Sequence, residues 1–595
     1  MKRVSLTVAA CALSLVAAAG RKVYLGAGWD VGALPPVDMA QSLDRIAKTP
    51  LDGIRFSLDA TLPDGKRARK NTAMDGWKWP VDVFDSQFGE VRKITSLPNM
   101  KHCYFGVCGA PNKRLPWTDD AAWAAFAHNM AVLARAAKET GVKGVCPDYE
   151  DYHHQYQYAL ADSDPALNVT LALARKRGAE VHRAMFAAYP EMTLFFWHFL
   201  DRHFPHHFTG RSDLPQDVRY RRDLFIAYLN GMFDVLPPSV RIVACEEDYK
   251  YSAARRDFYK AIAEEKQFNE DLLDPAHRTK FRLQVSLGFA IYLDAYRSDN
   301  QKSQWALGPD KYGSFAGHLI EDAEQATRAT DEYVWFWGER RTYLPWRNPG
   351  IASGIYSCRQ YGEGKRKTWD EEFPGFYEAL REFKDPVEYA KGKWAELSTS
   401  GATNLVIGGD CASLKGFTPW QKKRPVEGTF GVDTSVGDGD ASSIVLSGVH
   451  GCVTYFIRNR KSGGQYLIRA VSKGEGDAGI GVEVSWLKNG NWYFKAPSVQ
   501  VPVVGVTKTG WSEHVIAVKI PEGMDGFGVK LGATLRNGQR AWFDSLSVHE
   551  FSRLPSIRAN QGKDSIPPMG WQWPKPMVRP LCWSRVLWNT IDKKE

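Results

Sequence analysis

The sequence predicts an α/β chain: a (β/α)8 TIM barrel followed by an all-β sandwich of the jelly-roll type. Three observations carry that expectation. Between Lys22 and about Ala395, eight short apolar runs alternate with longer amphipathic segments, the signature of repeated βα units around a parallel sheet. From about Ser398 the helical period stops, and Thr/Val/Ile-rich runs are separated by glycine-rich turns. The length of 595 residues exceeds one ordinary domain, and 44% hydrophobic with 24% charged residues is a globular composition with ample material for a core.

The predicted barrel strands are Val23–Trp29, Gly53–Ser57, His102–Val107, Gly144–Pro147, Met192–Trp197, Arg241–Cys245, Arg282–Leu287 and Tyr333–Trp337. Helices are expected at Asp120–Thr140, Asn168–Tyr189, Arg221–Asp234, Ala253–Glu265, Gly317–Thr330, Gly375–Glu382 and Pro386–Leu397, each with a 3.6-residue apolar period. The sandwich strands expected are Ser443–Leu446, Val453–Arg458, Gln465–Val471, Val482–Leu487, Val515–Ile520, Gly526–Leu531 and Ala541–Val548. Met1–Gly20 has a basic start, an apolar run and Ala17-Ala18-Ala19, which reads as a secretory signal and places the protein outside the cytoplasm, secreted or periplasmic. The apolar run continues past Cys11, which argues against lipoprotein anchoring. The expected organisation is therefore a signal over 1–20, a barrel over 21–397, a sandwich over 398–551 and an irregular Pro/Trp-rich tail over 552–595.

Composition narrows the function. A net charge of +9, from 77 basic and 68 acidic residues scattered along the chain, lacks the concentrated basic patch of a nucleic-acid binder. No later segment is long and apolar enough to span a membrane. Aromatic residues reach 12%, with 21 tryptophans, and flat rings at that density suit stacking on sugar faces as well as core filling. The nine cysteines show no C-x-x-C pair and read mainly as small buried hydrophobes, although Cys411 and Cys452 could form a bridge.

A barrel turns sequence position into geometry, because residues just after each strand face one mouth. Those positions hold Trp29 and Asp30, the run Asp148-Tyr149-Glu150-Asp151-Tyr152, Trp197 and His198, Glu247 with Tyr249, and Trp335, Trp337 and Glu339. Asp148 and Glu150 stand at i and i+2, so an extended backbone projects both carboxylates to one side, where each raises the other's affinity for a proton. Two carboxylates can supply the proton donor and the negative group that glycoside hydrolysis needs. Glu150 is the expected donor and Asp148 its partner, with Glu247 and then Glu339 as the second carboxylate. Tyr149, Tyr152, Trp197, His198, Tyr249, Trp335, Trp337, Trp29 and Asp30 are the expected substrate contacts. Such chemistry needs no cofactor. His153, His154, His198, His203, His206 and His207 leave open a metal-dependent esterase or deacetylase, although no H-E-x-x-H spacing is present.

The run Lys143-Gly-Val-Cys-Pro-Asp-Tyr-Glu150 resembles the fourth-strand signature of glycoside hydrolase family 18, whose usual form is D-G-x-D-x-D-x-E. Lys143 and Cys146 stand where its first two aspartates would be. The resemblance implies Glu150 as general acid/base and Asp148 as the group orienting a substrate N-acetyl carbonyl, which acts as nucleophile. Tyr333-Val-Trp-Phe-Trp337 similarly resembles that family's strand-eight tryptophan segment. Asn404–Asp410, Gln465–Ala470, Trp511 and Ala541–Leu546 resemble the carbohydrate-binding jelly rolls found beside bacterial polysaccharidases. That likeness implies a structural calcium at Asp410 and Asp544, and Trp486, Trp492 and Trp511 as sugar platforms. The whole reads as a secreted bacterial glycoside hydrolase acting on a polysaccharide or glycan. The departures at Lys143 and Cys146 keep a non-catalytic glycan-binding protein with a degenerate barrel as the alternative.

Overall fold

The computed structural model describes residues 22–32, 34–150, 155–200, 223–246, 255–300, 306–309, 312–343, 367–422 and 428–552. Eight parallel strands close into a barrel: β1 (Val23–Gly26), β2 (Gly53–Phe56), β3 (Tyr104–Cys108), β4 (Gly144–Asp148), β5 (Thr193–Phe196), β6 (Arg241–Glu246), β7 (Val285–Tyr292) and β8 (Tyr333–Trp337). Each pairs with its sequence neighbours and β1 closes on β8, with Val23 opposite Tyr333. The connecting helices include α1 (Phe88–Ser96), α2 (Asp120–Thr140), α3 (Leu167–Ala188), α4 (Phe225–Val235), α5 (Arg255–Leu272) and α6 (Phe315–Ala329).

Local chemistry sets these boundaries. The Asp119 carboxylate accepts the backbone N–H of Ala122 at 3.0 Å to start α2, and Gly141, at φ 71°, ends it in the left-handed conformation glycine allows. Strand β7 begins three residues later than expected. Asp274 caps a turn by accepting from Ala276 N at 3.0 Å, and the helical path then runs through Arg278–Gln284 before the chain extends. The shift carries the strand to Tyr292 and brings Asp294 to the mouth, a position where the sequence placed no strand-seven acid.

Alternate residues on the strands fill the barrel. Val23, Leu25, Ala27, Tyr104, Cys146, Phe195, Trp197, Val243, Cys245, Ala290, Tyr333 and Trp335 form one buried cluster. Arg55, on the inward side of β2, is the charged exception, and it is only 5% exposed. Its guanidinium lies over Gly106 and 4.4 Å from the centre of the Trp197 ring, a cation–π contact. A Cβ at position 106 would stand 2.1 Å from Arg55 Nε, so the missing side chain of Gly106 is the space that the guanidinium fills.

Tyr377–Ser556 forms a second compact unit, with Met1–Phe376 in the first. Two antiparallel sheets make it. One runs in the order Phe417–Gln421, His450–Ile457, Gly526–Thr534, Gly479–Lys488 and Asn491–Trp492, with Val499–Val501 also paired to Gly479–Lys488. The other runs Thr429–Asp433, Ser443–Ser447, Arg540–Phe551, Gln465–Gly474, Ser512–Lys519 and Val503–Val506. Val453, Tyr466, Ile468, Val482, Val529 and Phe543 are among the residues packed between them. Helix α7 (Pro386–Thr399), expected as the last barrel helix, packs Ala390 on Leu467 and Val515 of the second sheet, so it belongs with this unit.

Gly106→Ala should push the guanidinium off its seat and cost about 1–3 kcal/mol of stability, as overpacking a filled interior does. Urea unfolding would measure this, and an unchanged midpoint would show that the space at Gly106 is not needed.

Candidate active site at the barrel mouth

Strand β4 delivers the acidic run to the mouth, and the two-residue strand period sorts it. Cys146, Asp148 and then Glu150 follow the lumen side, while Tyr149 turns outward among Tyr158, Phe196, Phe225 and Tyr228, with ring centroids 5.0–6.2 Å away. Tyr149, expected as a sugar contact, is instead core, at 1% exposure. Asp148 is 5% exposed, and its Oδ1 accepts the Glu150 backbone N–H at 3.1 Å, which fixes the turn between the two acids. The Glu150 side chain is 20% exposed, so of the pair it is the one that reaches the cleft, with Oε1 3.9 Å from His198 Nε2.

Burial pushes the Asp148 carboxyl up to about 6; the neighbouring Glu150 charge adds to the rise, while Arg55, the Glu150 N–H and His198 oppose it. The proton-holding environment therefore falls on Asp148, the deeper acid. Burial also pushes the thiols of Cys108 and Cys146 up to about 12, which keeps both protonated and poorly nucleophilic.

Strand β8 brings the other acid. In a closed barrel of eight strands in sequence order, β8 stands diametrically opposite β4, so Glu339 and Glu150 follow strands on opposite sides of the barrel. Trp337 Nε1 donates to Glu339 Oε1 at 3.0 Å, and the Glu339 backbone N–H donates to Asp294 Oδ2 at 2.7 Å. Asp294 is itself held by Arg297, whose Nη1 donates to Oδ1 at 2.9 Å. Burial raises the affinity of Glu339 for its proton, and the charge of Asp294 adds to the rise. Arg341, two residues on, pairs with Glu372 at 2.9 Å and Asp299 at 3.2 Å. Asp294 is the site residue that sequence reasoning passed over, because the expected end of β7 left it too far along the chain.

The tryptophans form a ladder from lumen to mouth. Trp335 is fully buried with its Nε1 on the Cys245 carbonyl at 2.9 Å, and Trp197 stacks on it at 5.1 Å and 10°. Trp337 meets Trp197 edge-on at 5.2 Å, and Trp29, 42% exposed, meets Trp337 at 6.0 Å. Of these four tryptophans, all expected as sugar contacts, only Trp337 and Trp29 are open to one. Asp30 is also fully buried: it accepts from Trp369 Nε1 at 2.6 Å, and burial holds its carboxyl well above the ordinary range. Its place is structural. Tyr152, Glu247 and Tyr249 lie outside the described residues, as do His153, His154, His203, His206 and His207.

Arg55 and Lys70 were missed at the sequence level. Lys70 follows the hairpin Asp59–Thr61/Arg67–Arg69 in the β2–α1 connection, and burial lowers its pKa beside Arg55, Cys108 and Asp148. The signal for Arg55 was its inward parity within the apolar run Gly53–Ser57; nothing marked Lys70.

The barrel's opposite end holds an open depression of about 960 Å³ lined by Lys143, Arg241, Lys266, Glu270, Asp331 and Tyr333, among others. Ion pairs already engage Lys266 with Asp331 and Arg282 with Glu270, and strand starts in this fold carry stability, whereas chemistry sits at the strand ends.

In the sandwich, Trp486 and Trp511 are buried in the cores rather than displayed. Trp492 is half-buried, with Lys530 Nζ 5.0 Å from its ring centre, and Trp420, which sequence reasoning did not single out, is 60% exposed on an edge strand of the same sheet. Cys411 and Cys452 are free thiols. Both Asp544 oxygens accept backbone N–H groups, from Asp438 at 2.7 Å and Ser545 at 2.5 Å. No three His, Cys, Asp or Glu side chains among the described residues gather into a metal-holding group.

No protein-family model matches the chain, and no curated protein does. Among solved structures, the enzymatically active domain of bacteriophage CBA120 tailspike protein 4 is 19% identical with a TM-score of 0.21, over 25% of this chain and 21% of that one. The CBM22-2 xylan-binding domain of Paenibacillus barcinonensis Xyn10C is 10% identical with a TM-score of 0.20, over 24% of this chain and 96% of that one. TmCBM61, solved with β-1,4-galactotriose, is 15% identical with a TM-score of 0.20, over 25% of this chain and 100% of that one. At those TM-scores the likenesses carry no functional argument.

Asp148 keeps a proton in the fold between pH 3.8 and about 6 that the unfolded chain has released, so its contribution to stability falls as pH rises through that window. Asp148→Asn should therefore stabilise the protein above about pH 6 by up to about 3 kcal/mol, and the gain should vanish below about pH 4. Unfolding midpoints of both proteins across pH would read this; a gain independent of pH would overturn the assignment.

Proposed function

We propose that the chain is a glycoside hydrolase acting on a polysaccharide or glycoconjugate outside the cytoplasm. The observation that carries the reading is one mouth with carboxyls on opposite strands: Asp148 at the end of β4 with Glu150 just after it, and Glu339 after β8. A sugar lying between them against Trp337 and Trp29 would have an acid on one side and a carboxylate on the other.

In this scheme Glu150 gives its proton to the glycosidic oxygen as the C–O bond breaks, and Glu339 supports the positive anomeric carbon or directs water to it. Water supplies the hydroxyl that completes the sugar and returns a proton to Glu150. Asp148 keeps the pair from ionising fully, so that a donor proton survives toward neutral pH. The hydrogen bond from Trp337 and the backbone hold from Asp294 fix Glu339 before substrate arrives. The resemblance of the Lys143–Glu150 run to the glycoside hydrolase family 18 signature motivates a second route, in which a substrate N-acetyl group takes the place of Glu339. Trp420 and Trp492 on the sandwich are offered as glycan contacts of the second unit.

Glu150→Gln should lower kcat by roughly 10²- to 10⁴-fold on natural glycans, and by less on dinitrophenyl glycosides, whose leaving group needs no proton. Glu339→Gln should lower kcat on both if it acts on the anomeric carbon, and on neither if the substrate's own amide does so. Full turnover by Glu150→Gln on both substrate types would end the assignment of Glu150 as proton donor. Glycan retention without any hydrolysis by the wild type would favour the binding protein. Trp420→Ala should weaken retention on insoluble polysaccharide several-fold without altering kcat on a soluble aryl glycoside, as an affinity assay beside the kinetics would show.

A further inference from the structure

We propose that the glycan taken at this mouth carries an anionic group, a carboxylate or a sulfate ester, and that Arg55 and Lys70 receive it. The inference rests on the glycan reading above and sharpens it.

The structure buries three arginines among the described residues: Arg55, Arg177 and Arg297. Two are neutralised in place, Arg177 by Asp120 at 2.6 Å and Glu180 at 2.8 Å, and Arg297 by Asp294 at 2.9 Å and by Asp299. That is the normal condition, since an unpaired buried charge costs several kcal/mol. Arg55 departs from it. No described carboxylate lies within ion-pair distance, and its Nε is buried without a hydrogen-bond acceptor. What it has is the face of Trp197, the gap left by Gly106 and the neighbouring Cys146 thiol, none of them an anion.

Half-buried Lys70 adds a second positive charge close enough to act on Arg55, and it too has no described carboxylate within ion-pair distance. Asp148 is close enough to act electrostatically on both, and its Oδ1 accepts the Glu150 N–H. Burial pushes its carboxyl up to about 6, so one buried carboxylate at most stands against the two cations. Across a barrel only eight strands round, β2 stands beside β1, which carries the open ring of Trp29. A sugar on Trp29 would therefore lie beside the strand that carries Arg55. A carboxylate or sulfate fits the two cations well: guanidinium and ammonium would each gain a charge-assisted hydrogen bond, and the bond formed in a dry site is stronger than in water.

The test is calorimetric binding of the full-length protein, at low salt, to a galacturonate trisaccharide, a sulfated galactan oligosaccharide and their neutral counterparts. At least one acidic ligand should bind tenfold or more tightly than its neutral partner, and the preference should shrink with added salt. Preference for the uronate alone assigns the site to a carboxylate, and for the sulfated oligosaccharide alone to a sulfate. Lys70→Met should erase the preference, as should Arg55→Met; Lys70, on a surface connection, keeps the test open if Arg55→Met fails to fold. Neutral ligands binding as tightly as acidic ones, or Lys70→Met retaining the preference, would overturn the proposal. An acidic glycan that binds through Lys70 but is never cleaved would support this inference and defeat the hydrolase reading. Hydrolysis of neutral glycans that Lys70→Met leaves unchanged would do the reverse.

Discussion

A guanidinium sealed into a barrel of aromatic and aliphatic side chains is the constraint on which the mouth depends. Arg55 occupies an inward position where the fold ordinarily places Val, Ile or Leu, and the neighbouring strands make room for it. Position 106 has no side chain, position 146 carries a small thiol, and Trp197 turns its face to the charge at 4.4 Å. The cation–π contact returns about 0.5–2 kcal/mol, far less than removing the charge from water costs. The balance has to come from charges above it, and Asp148 and Glu150 are the acids β4 supplies there. Acids at this depth are thus part of how the lumen tolerates Arg55, as well as candidates for chemistry.

The same economy explains the opposite wall. Glu339 is held through its own backbone by Asp294, which is buried and answered by Arg297. Asp299 joins Arg297 to Arg341, and Arg341 to Glu372, so a chain of ion pairs runs outward from beneath Glu339 to solvent. One wall holds its acid by a satisfied network, and the other leaves cations waiting. That asymmetry is what a site would have if one side were built to hold a carboxylate still and the other to receive an anion.

The sequence showed the barrel well, because eight apolar runs at regular intervals admit few other folds, and α2 runs over the expected Asp120–Thr140. It was misleading at β7, where Arg282–Gln284, expected as the start of the strand, are the last turn of a helix. Site residues divided along the same line. Asp148 and Glu150 were visible because parity along a strand is a local property. Burial is not local: Tyr149, Trp335 and Asp30 stand at mouth positions in the sequence, yet each is covered by elements distant in the chain, Tyr149 by Phe225 and Tyr228, and Asp30 by Trp369. Arg55 was hidden for a related reason, since a lone arginine in an apolar run looks like a strand edge until the barrel closes around it.

The acidic run Asp148-Tyr149-Glu150 then has a definite physical sense. Two like charges at the end of a buried strand repel, and the fold answers by separating them in depth instead of in direction. Asp148 lies where water is scarce and a proton is favoured, while Glu150 reaches the cleft within 3.9 Å of His198. A pair divided in this way can keep one proton at a pH where two exposed carboxylates would hold none. The stability lost by burying Asp148 above pH 6 is consistent with selection for that proton, because an asparagine would accept the same Glu150 N–H without the penalty.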